Sequence, residues 1–217
     1  MRTQSERAVD LILELAALER AGCEHPARIG PTVFQKILFW TKLKLREQWS
    51  VPRLAYFRHN WGAYSRDLSD DVQQLRKAGH LAPAHFRLTP RGLQLAQHWR
   101  GLLDASHRDV FAALDATVDE LSPLSAEEVK ARTYALSAQA VGAKAKYGTL
   151  HGVPMGVALL LNTAVGAKRF GIEQDLVEDF MLDVQTTAKD IADLNKPGRS
   201  LTEAAFTAQF GGGETGP

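Results

Sequence analysis

Residues 65–79 constrain the fold most strongly, because they carry a start signal, a stop signal and a buried face for one helix. Ser65 is a good N-cap residue, aspartates occupy the first turns, and Arg76 and Lys77 precede Gly79. Negative charge at the start and positive charge at the end both complement the helix dipole. The apolar face consists of Leu68, Val72 and Leu75. The pattern predicts an amphipathic helix.

The elements on either side of this helix are predicted from similar signals. Helices are predicted over about residues 5–20 and from residue 30 onwards, where a proline stands in the first turn. A strand is predicted over 54–58, two short strands over 80–82 and 86–88, and a helix over 89–99. This order of helix, helix, strand, helix, hairpin and helix predicts a winged-helix-like domain with a small β-hairpin over residues 1–100.

Residues 30–95 carry several short motifs in a recognisable order. These are 35–40 (QKILFW), 57–65 (FRHNWGAYS), 79–81 (GHL) and 86–92 (FRLTPRG). In these motifs the segment resembles the YwgA and SocA (Panacea)-like family of bacterial and phage-associated proteins. The resemblance implies a small winged-helix-like domain used in toxin neutralisation, proteolytic adaptor work or regulation, and it implies no catalytic residues. The chain departs from the family at Ala63, where proline is usual.

Charge is divided unevenly along a chain whose total is only +1. Residues 1–100 carry a net charge of +7, and the remaining residues carry −6. We therefore predict a basic domain over 1–100, an acidic alanine-rich helical domain over 101–210, and a flexible tail over 211–217. The basic half suits an anionic partner, but the acidic half could instead lie against it, within the chain or between subunits.

The acidic half is predicted to be entirely helical, so the expected fold class is mainly α. A capping box at 125–128 (SAEE) starts a helix that should extend to about residue 145, and a second box stands at 200–203 (SLTE). Further helices are predicted over 102–121, over the apolar segment 153–165, and around a buried Phe180. Alanine-rich helices with few bulky side chains favour packing against a second copy, so we expect a homo-oligomer.

Basic side chains of the first half are candidates for contact with nucleic-acid phosphates. The helix over 65–79 is itself a poor reader of the major groove, because its leading end carries three aspartates. The predicted nucleic-acid-binding residues are therefore Lys36, Lys42, Lys44, Arg46, Arg53, Arg58, Arg87 and Arg91. The alternative is that these residues form a solvated face or pair with acidic groups of another unit.

Two aromatic residues, Trp61 and Tyr64, stand on either side of a short turn just before the capped helix. Such a pair can anchor a partner chain, because aromatic side chains contribute much of the binding energy at protein interfaces. The alternative is that both residues pack the turn onto the core. Trp61 and Tyr64 are the predicted partner-binding residues.

Residues with metal or catalytic chemistry lack any diagnostic spacing. Cys23 is the one cysteine, the seven histidines have no zinc-site spacing, and neither glycine-rich stretch ends in a P-loop signature. We therefore expect no metal, no cofactor and no enzymatic activity. The N-terminus has no signal-peptide pattern, and no apolar stretch reaches the roughly 20 residues of a membrane span. A cytoplasmic protein without membrane contact is expected.

These observations favour a DNA-binding or DNA-associated regulator that oligomerises through its helical half. The basic first half and the winged-helix order support this hypothesis. The alternative is an antitoxin or adaptor that acts by protein–protein contact, which the resemblance and the three aspartates of the helix over 65–79 support. Duplex DNA and a toxin or adaptor client are the corresponding partners.

Overall fold

The computed structural model describes residues 2–24, 29–161 and 166–186. Its helices are α1 (Gln4–Glu24), α2 (Pro31–Leu45), α3 (Arg66–Lys77), α4 (Pro90–Leu121), α5 (Ala126–Tyr134) and α6 (Gln174–Gln185). Its strands are β1 (Tyr56–His59), β2 (Gly62–Tyr64) and β3 (Ala158–Leu159), and 3₁₀ turns span Ala145–Tyr147 and Leu150–Gly152. The prediction of a mainly helical chain with a small β component is confirmed.

Helix α1 forms the centre of the fold. Every residue from 8 to 18 is buried, including Asp10 and Glu14, so the helix is covered on all sides. Helices α4 and α6 both pack against it. The sequence predicted a helix over about residues 5–20, but it did not indicate that neighbours would surround residues 8–18 completely.

Helix α3 begins and ends where the sequence predicts. The Ser65 hydroxyl accepts a hydrogen bond of 3.3 Å from the Leu68 amide. Gly79 follows the helix with φ +78°, a conformation that glycine adopts without strain. Its predicted apolar residues Leu68, Val72 and Leu75 are all buried. Local signals were sufficient at both ends of this helix.

The three strands form an antiparallel sheet in the order β2-β1-β3. Arg58 pairs with Ala63 across β1 and β2, and Phe57 pairs with Ala158 across β1 and β3. The prediction of a helix over 153–165 is wrong, because β3 lies in this segment. Pro154 lacks a backbone donor and Gly156 has φ +77°, so the chain enters the strand in extended form.

The connection between α3 and α4 contains one β-bridge, between Leu81 and Leu88, in place of the two strands predicted there. The Ala82 amide donates to the Arg87 carbonyl at 2.9 Å. The next residue, Pro83, has no amide hydrogen to extend the ladder. The predicted hairpin is therefore a short turn, and the sheet of this fold is built by other residues.

Helix α4 runs through residue 100, where the sequence predicted a boundary between two units. It bends at His107, whose ring stacks on Phe170 at 3.8 Å between centroids. Residues from both sides of position 100 belong to one hydrophobic core. Ion pairs also join the two halves, with Arg20 and Lys44 each 2.9 Å from an acidic residue of α4. The basic and acidic halves therefore meet within the chain.

Helix α5 has the predicted capping box, with Ser125 and Glu128 each accepting a hydrogen bond from the other's backbone amide. The helix ends at Tyr134, whereas the sequence predicted about residue 145. The Ala138 amide donates to the Gly148 carbonyl instead of continuing the helix, and this bond closes a compact loop. The second capping box at 200–203 and the predicted tail at 211–217 lie outside the described residues.

Helix α6 is fixed at its C-terminal end by the chain around the start of α4. The His80 Nε2 atom lies 3.2 Å from the carbonyl oxygens of Asp183 and Val184. The Trp99 indole donates to the Asp183 carboxylate at 3.3 Å, and its ring packs edge-on against the fully buried Phe180. Phe180 is buried as predicted.

Among the helices of the described ranges, none combines the length and apolar character needed to cross a bilayer.

Candidate partner-binding groove

A groove of about 330 Å³ lies between the first turns of α2, one face of α3 and the turn that joins β1 to β2. Its apolar walls are formed by Pro31, Phe34, Trp61, Tyr64, Leu68, Val72 and Phe86. The volume is within the range of sites that hold a small ligand or a few side chains of a partner. The groove is therefore large enough to hold a small ligand or a few side chains of a partner protein.

A chain of hydrogen bonds fixes the base of the groove. The Gln35 side chain both accepts from the Ser65 amide at 2.9 Å and donates to the Ser65 carbonyl at 2.8 Å. It also donates to Ser69, whose hydroxyl in turn donates to Tyr64 at 2.9 Å. These bonds join α2 to the start of α3 and fix the two walls of the groove relative to each other.

Lys36 lines the groove and has only 1% of its surface exposed. Its ammonium donates one hydrogen bond, of 2.6 Å, to the Ala63 carbonyl. Burial, with a smaller contribution from the nearby charge of Lys130, lowers the pKa of Lys36 to about 7. Gly62 lies beside it with φ +88°, a conformation that other residues rarely adopt, and a Cβ atom there would lie 3.2 Å from Lys36 Cε. No carboxylate forms an ion pair with Lys36 in the part of the chain that the structure describes.

The rim of the groove is aromatic and positively charged. Trp61 is 52% exposed, and the Lys130 ammonium lies 4.8 Å from its ring centroid. The Arg76 guanidinium lies 5.0 Å from the Phe86 ring. None of the described residues that line the groove is acidic. The site thus combines apolar walls with basic groups, a composition suited to an apolar and anionic ligand.

The two predicted partner-binding residues, Trp61 and Tyr64, both line this groove. The sequence did not indicate Arg76 or Phe86, because Arg76 was assigned to the end of a helix and Phe86 to a strand of the predicted hairpin. It also placed Lys36 on a different surface. Gln35 and Lys36 meet the turn at 61–65 only in the folded chain, so local sequence patterns do not predict these contacts.

The predicted nucleic-acid-binding residues do not form one exposed face. Lys36 and Arg58 are both buried. Arg58 donates to the Leu150 carbonyl at 3.0 Å and stacks on Tyr134 at 4.7 Å. Arg91 donates to backbone carbonyls at the ends of α3 and α6. Lys36, Arg58 and Arg91 therefore donate hydrogen bonds to backbone carbonyls of the protein itself.

The other five basic residues are divided among three places. Lys42, Arg46 and Arg53 line a second hollow of about 160 Å³. Lys44 pairs with Glu120 at 2.9 Å. Arg87 is exposed on the turn between α3 and α4. The three residues around the hollow are the part of the predicted basic set that the fold brings together.

The sequence also did not indicate a buried ionic cluster that joins α1 to α3 through Arg2. Arg2 donates to Asp10 at 2.9 Å and to Asp71 at 2.8 Å. Burial raises the pKa of Asp10 to about 6 and raises the pKa of Glu14 well above its usual value. Neither carboxyl oxygen of Glu14 accepts a hydrogen bond from a described residue. The signal for this cluster was two acidic residues one turn apart within residues 8–18, a stretch that is otherwise apolar.

Among the described residues no group of three or more potential ligands could hold a metal ion. The comparisons with known proteins likewise provide no chemistry to transfer: no family model, curated protein or solved structure matches this chain.

Proposed function

We propose that the protein acts without catalysis by binding a segment of a partner protein in the groove between α2 and α3. The observation that carries this proposal is an open, aromatic-walled groove that contains both Trp61 and Tyr64. Half of the Trp61 side chain is exposed, although burying it would be favourable. An apolar segment that covered Trp61 would gain this burial, and aromatic anchors of this kind dominate binding energy at interfaces.

The charge of the groove supports a partner segment that is both apolar and acidic. Lys36, Arg76 and Lys130 lie in or beside the groove, and its described lining contains no opposing carboxylate. The first turn of α2 also lines the groove, and the N-terminus of a helix favours negative charge. A function as antitoxin or adaptor by protein contact agrees with this chemistry.

DNA binding is the second candidate, and one observation favours it. Lys42, Arg46 and Arg53 surround a common hollow whose described lining has no acidic side chain. The support is weaker than for the groove, because Arg53 pairs with Glu6 at 3.3 Å and Lys42 donates to the Leu54 carbonyl at 2.6 Å. Phosphates would have to compete with these internal partners. Cytoplasmic location and oligomerisation remain predictions under either function.

The test is to pan a library of random peptides against the full chain and to measure the affinity of the enriched peptides. We expect the enriched sequences to share a large apolar residue and an acidic residue. Trp61→Ala should weaken their binding by about tenfold or more, the usual effect of removing an aromatic anchor. Leu182→Ala is the matched control, since Leu182 is 66% exposed on α6, away from the groove.

Equal binding by the wild type and Trp61→Ala would show that the groove is not the binding site. The same protein should also be titrated with duplex DNA at several salt concentrations. Tight DNA binding that weakens steeply with salt and is lost in a Lys42→Glu/Arg46→Glu variant would favour the second candidate instead.

A further inference from the structure

We propose that Lys36 recognises a carboxylate group that the bound segment inserts into the base of the groove. This inference rests on the proposed function and adds to it the chemical group that the partner must present. It assigns to Lys36 a role in binding, whereas its hydrogen bond to Ala63 alone would make it a structural residue.

The Lys36 ammonium has hydrogen-bond donors that the described chain does not use. A lysine ammonium has three hydrogen-bond donors, and in the described chain Lys36 uses one of them, towards the Ala63 carbonyl. The side chain is almost completely buried, so water cannot fully solvate the remaining donors. Because Lys36 also lines the groove, a ligand that fills the base of the groove would lie against this side chain.

Lys36 also lacks a counter-ion among the described residues. A buried charge without a counter-ion is costly to the folded state, and proteins normally pair such groups. The described residues give Lys36 no carboxylate partner, and the neighbouring Lys130 opposes its charge. An incoming carboxylate would supply the missing negative charge where the surrounding apolar walls strengthen the attraction.

The groove suits a carboxylate better than a phosphate. Phosphate sites usually combine several cationic or amide donors around the anion. Here Lys36 is the buried cation of the groove, while Arg76 and Lys130 lie over the Phe86 and Trp61 rings. One buried ammonium in an apolar groove matches a group with one negative charge that is attached to an apolar body.

The experiment uses 4-phenylbutyrate and its uncharged amide, 4-phenylbutyramide, as a pair of probes that differ only in the charged group. Each is titrated into the full chain by calorimetry and by nuclear magnetic resonance. We expect the acid to bind at least about tenfold more tightly than the amide. Lys36→Met should remove this preference, because methionine keeps the apolar stem and lacks the charge. Lys44→Met, on the outer side of the same helix, should retain it.

A further measurement separates binding from a structural role. The affinity for the acid should fall by about tenfold per pH unit above the pKa of Lys36, while the affinity for the amide should stay constant.

Equal affinities for the acid and the amide would overturn the carboxylate assignment, and so would an acid preference that survives in Lys36→Met. Neither result affects the proposed function if Trp61→Ala still weakens binding of the enriched peptides. Conversely, a failure to enrich any peptide would remove the proposed function, while the acid and amide titrations would still decide what Lys36 binds.

Discussion

At the scale of single residues, the buried ionic cluster that joins α1 to α3 illustrates how a buried position changes the chemistry of a side chain. Asp10 has Arg2 as a partner and accepts from the Arg53 amide at 2.6 Å, yet burial still raises its pKa to about 6. Glu14 forms no ion pair with a basic residue in the described chain, and burial together with the neighbouring charges of Asp71 and Asp10 raises its pKa well above the usual value. Folding therefore favours the protonated form of Glu14.

We expect Glu14→Gln to reduce the pH dependence of stability. A carboxyl group whose pKa is raised by folding binds more protons in the folded state, so its stabilising contribution is present at low pH. That contribution is lost as pH rises through the folded pKa, and glutamine cannot lose a proton. The difference in Tm between variant and wild type should therefore increase in favour of the variant as pH rises from about 5 to about 9.

Thermal denaturation across this pH range, followed by circular dichroism, makes the comparison. Glu178→Gln is the control, because Glu178 is exposed on α6. A constant difference in Tm between Glu14→Gln and wild type would mean that Glu14 has the same pKa in the folded and unfolded chains.

At the scale of helices and strands, the sequence predicted an element correctly where the contacts that determine it lie close together in the chain. Helix α3 was predicted with both ends because Ser65 and Gly79 act on their own neighbours. The segment 153–165 was assigned wrongly because its apolar residues pair with β1, about a hundred residues earlier in the chain. Lys36 was assigned to the surface because a helical pattern does not reveal that Ala63 and Gly62 enclose it.

We expect helix α6 to contribute strongly to the stability of the core through Phe180. Phe180→Ala should destabilise the protein by about 3–5 kcal/mol, the usual cost of removing a fully buried phenylalanine. The cavity would open beside Trp99 and beside α1, which α6 contacts. Chemical denaturation gives the free energy of unfolding, and Leu182→Ala on the exposed face of α6 should leave it nearly unchanged. A loss below about 1 kcal/mol would mean that α6 contributes little to the core.

At the scale of the whole molecule, the uneven charge along the sequence corresponds to attraction inside the fold. Arg20, Lys44 and Arg100 each form an ion pair with an acidic residue in the second half of α4. The shared core includes residues from both halves. Net charge per segment therefore indicated which parts of the chain differ in composition, but it did not indicate how they pack.

We expect a chain that ends at Arg100 not to fold on its own. Such a truncation removes most of α4, which packs against both α1 and α2, and it exposes the buried surface of α1. A chain without this cover should lack a cooperative thermal transition in circular dichroism and should aggregate. A sharp transition in the truncated chain would show that residues 1–100 form an independent domain, as the division of charge predicted.

Because the four tryptophans differ in exposure, quenching of tryptophan fluorescence can report on the groove. Trp49 and Trp99 are almost completely buried, Trp40 donates its indole hydrogen to Thr133, and Trp61 is half exposed. Collisional quenchers such as iodide should therefore reduce fluorescence mainly from Trp61. A ligand that fills the groove would shield this ring and lower the quenching constant, so occupancy can be followed on the unlabelled protein before any partner has been identified.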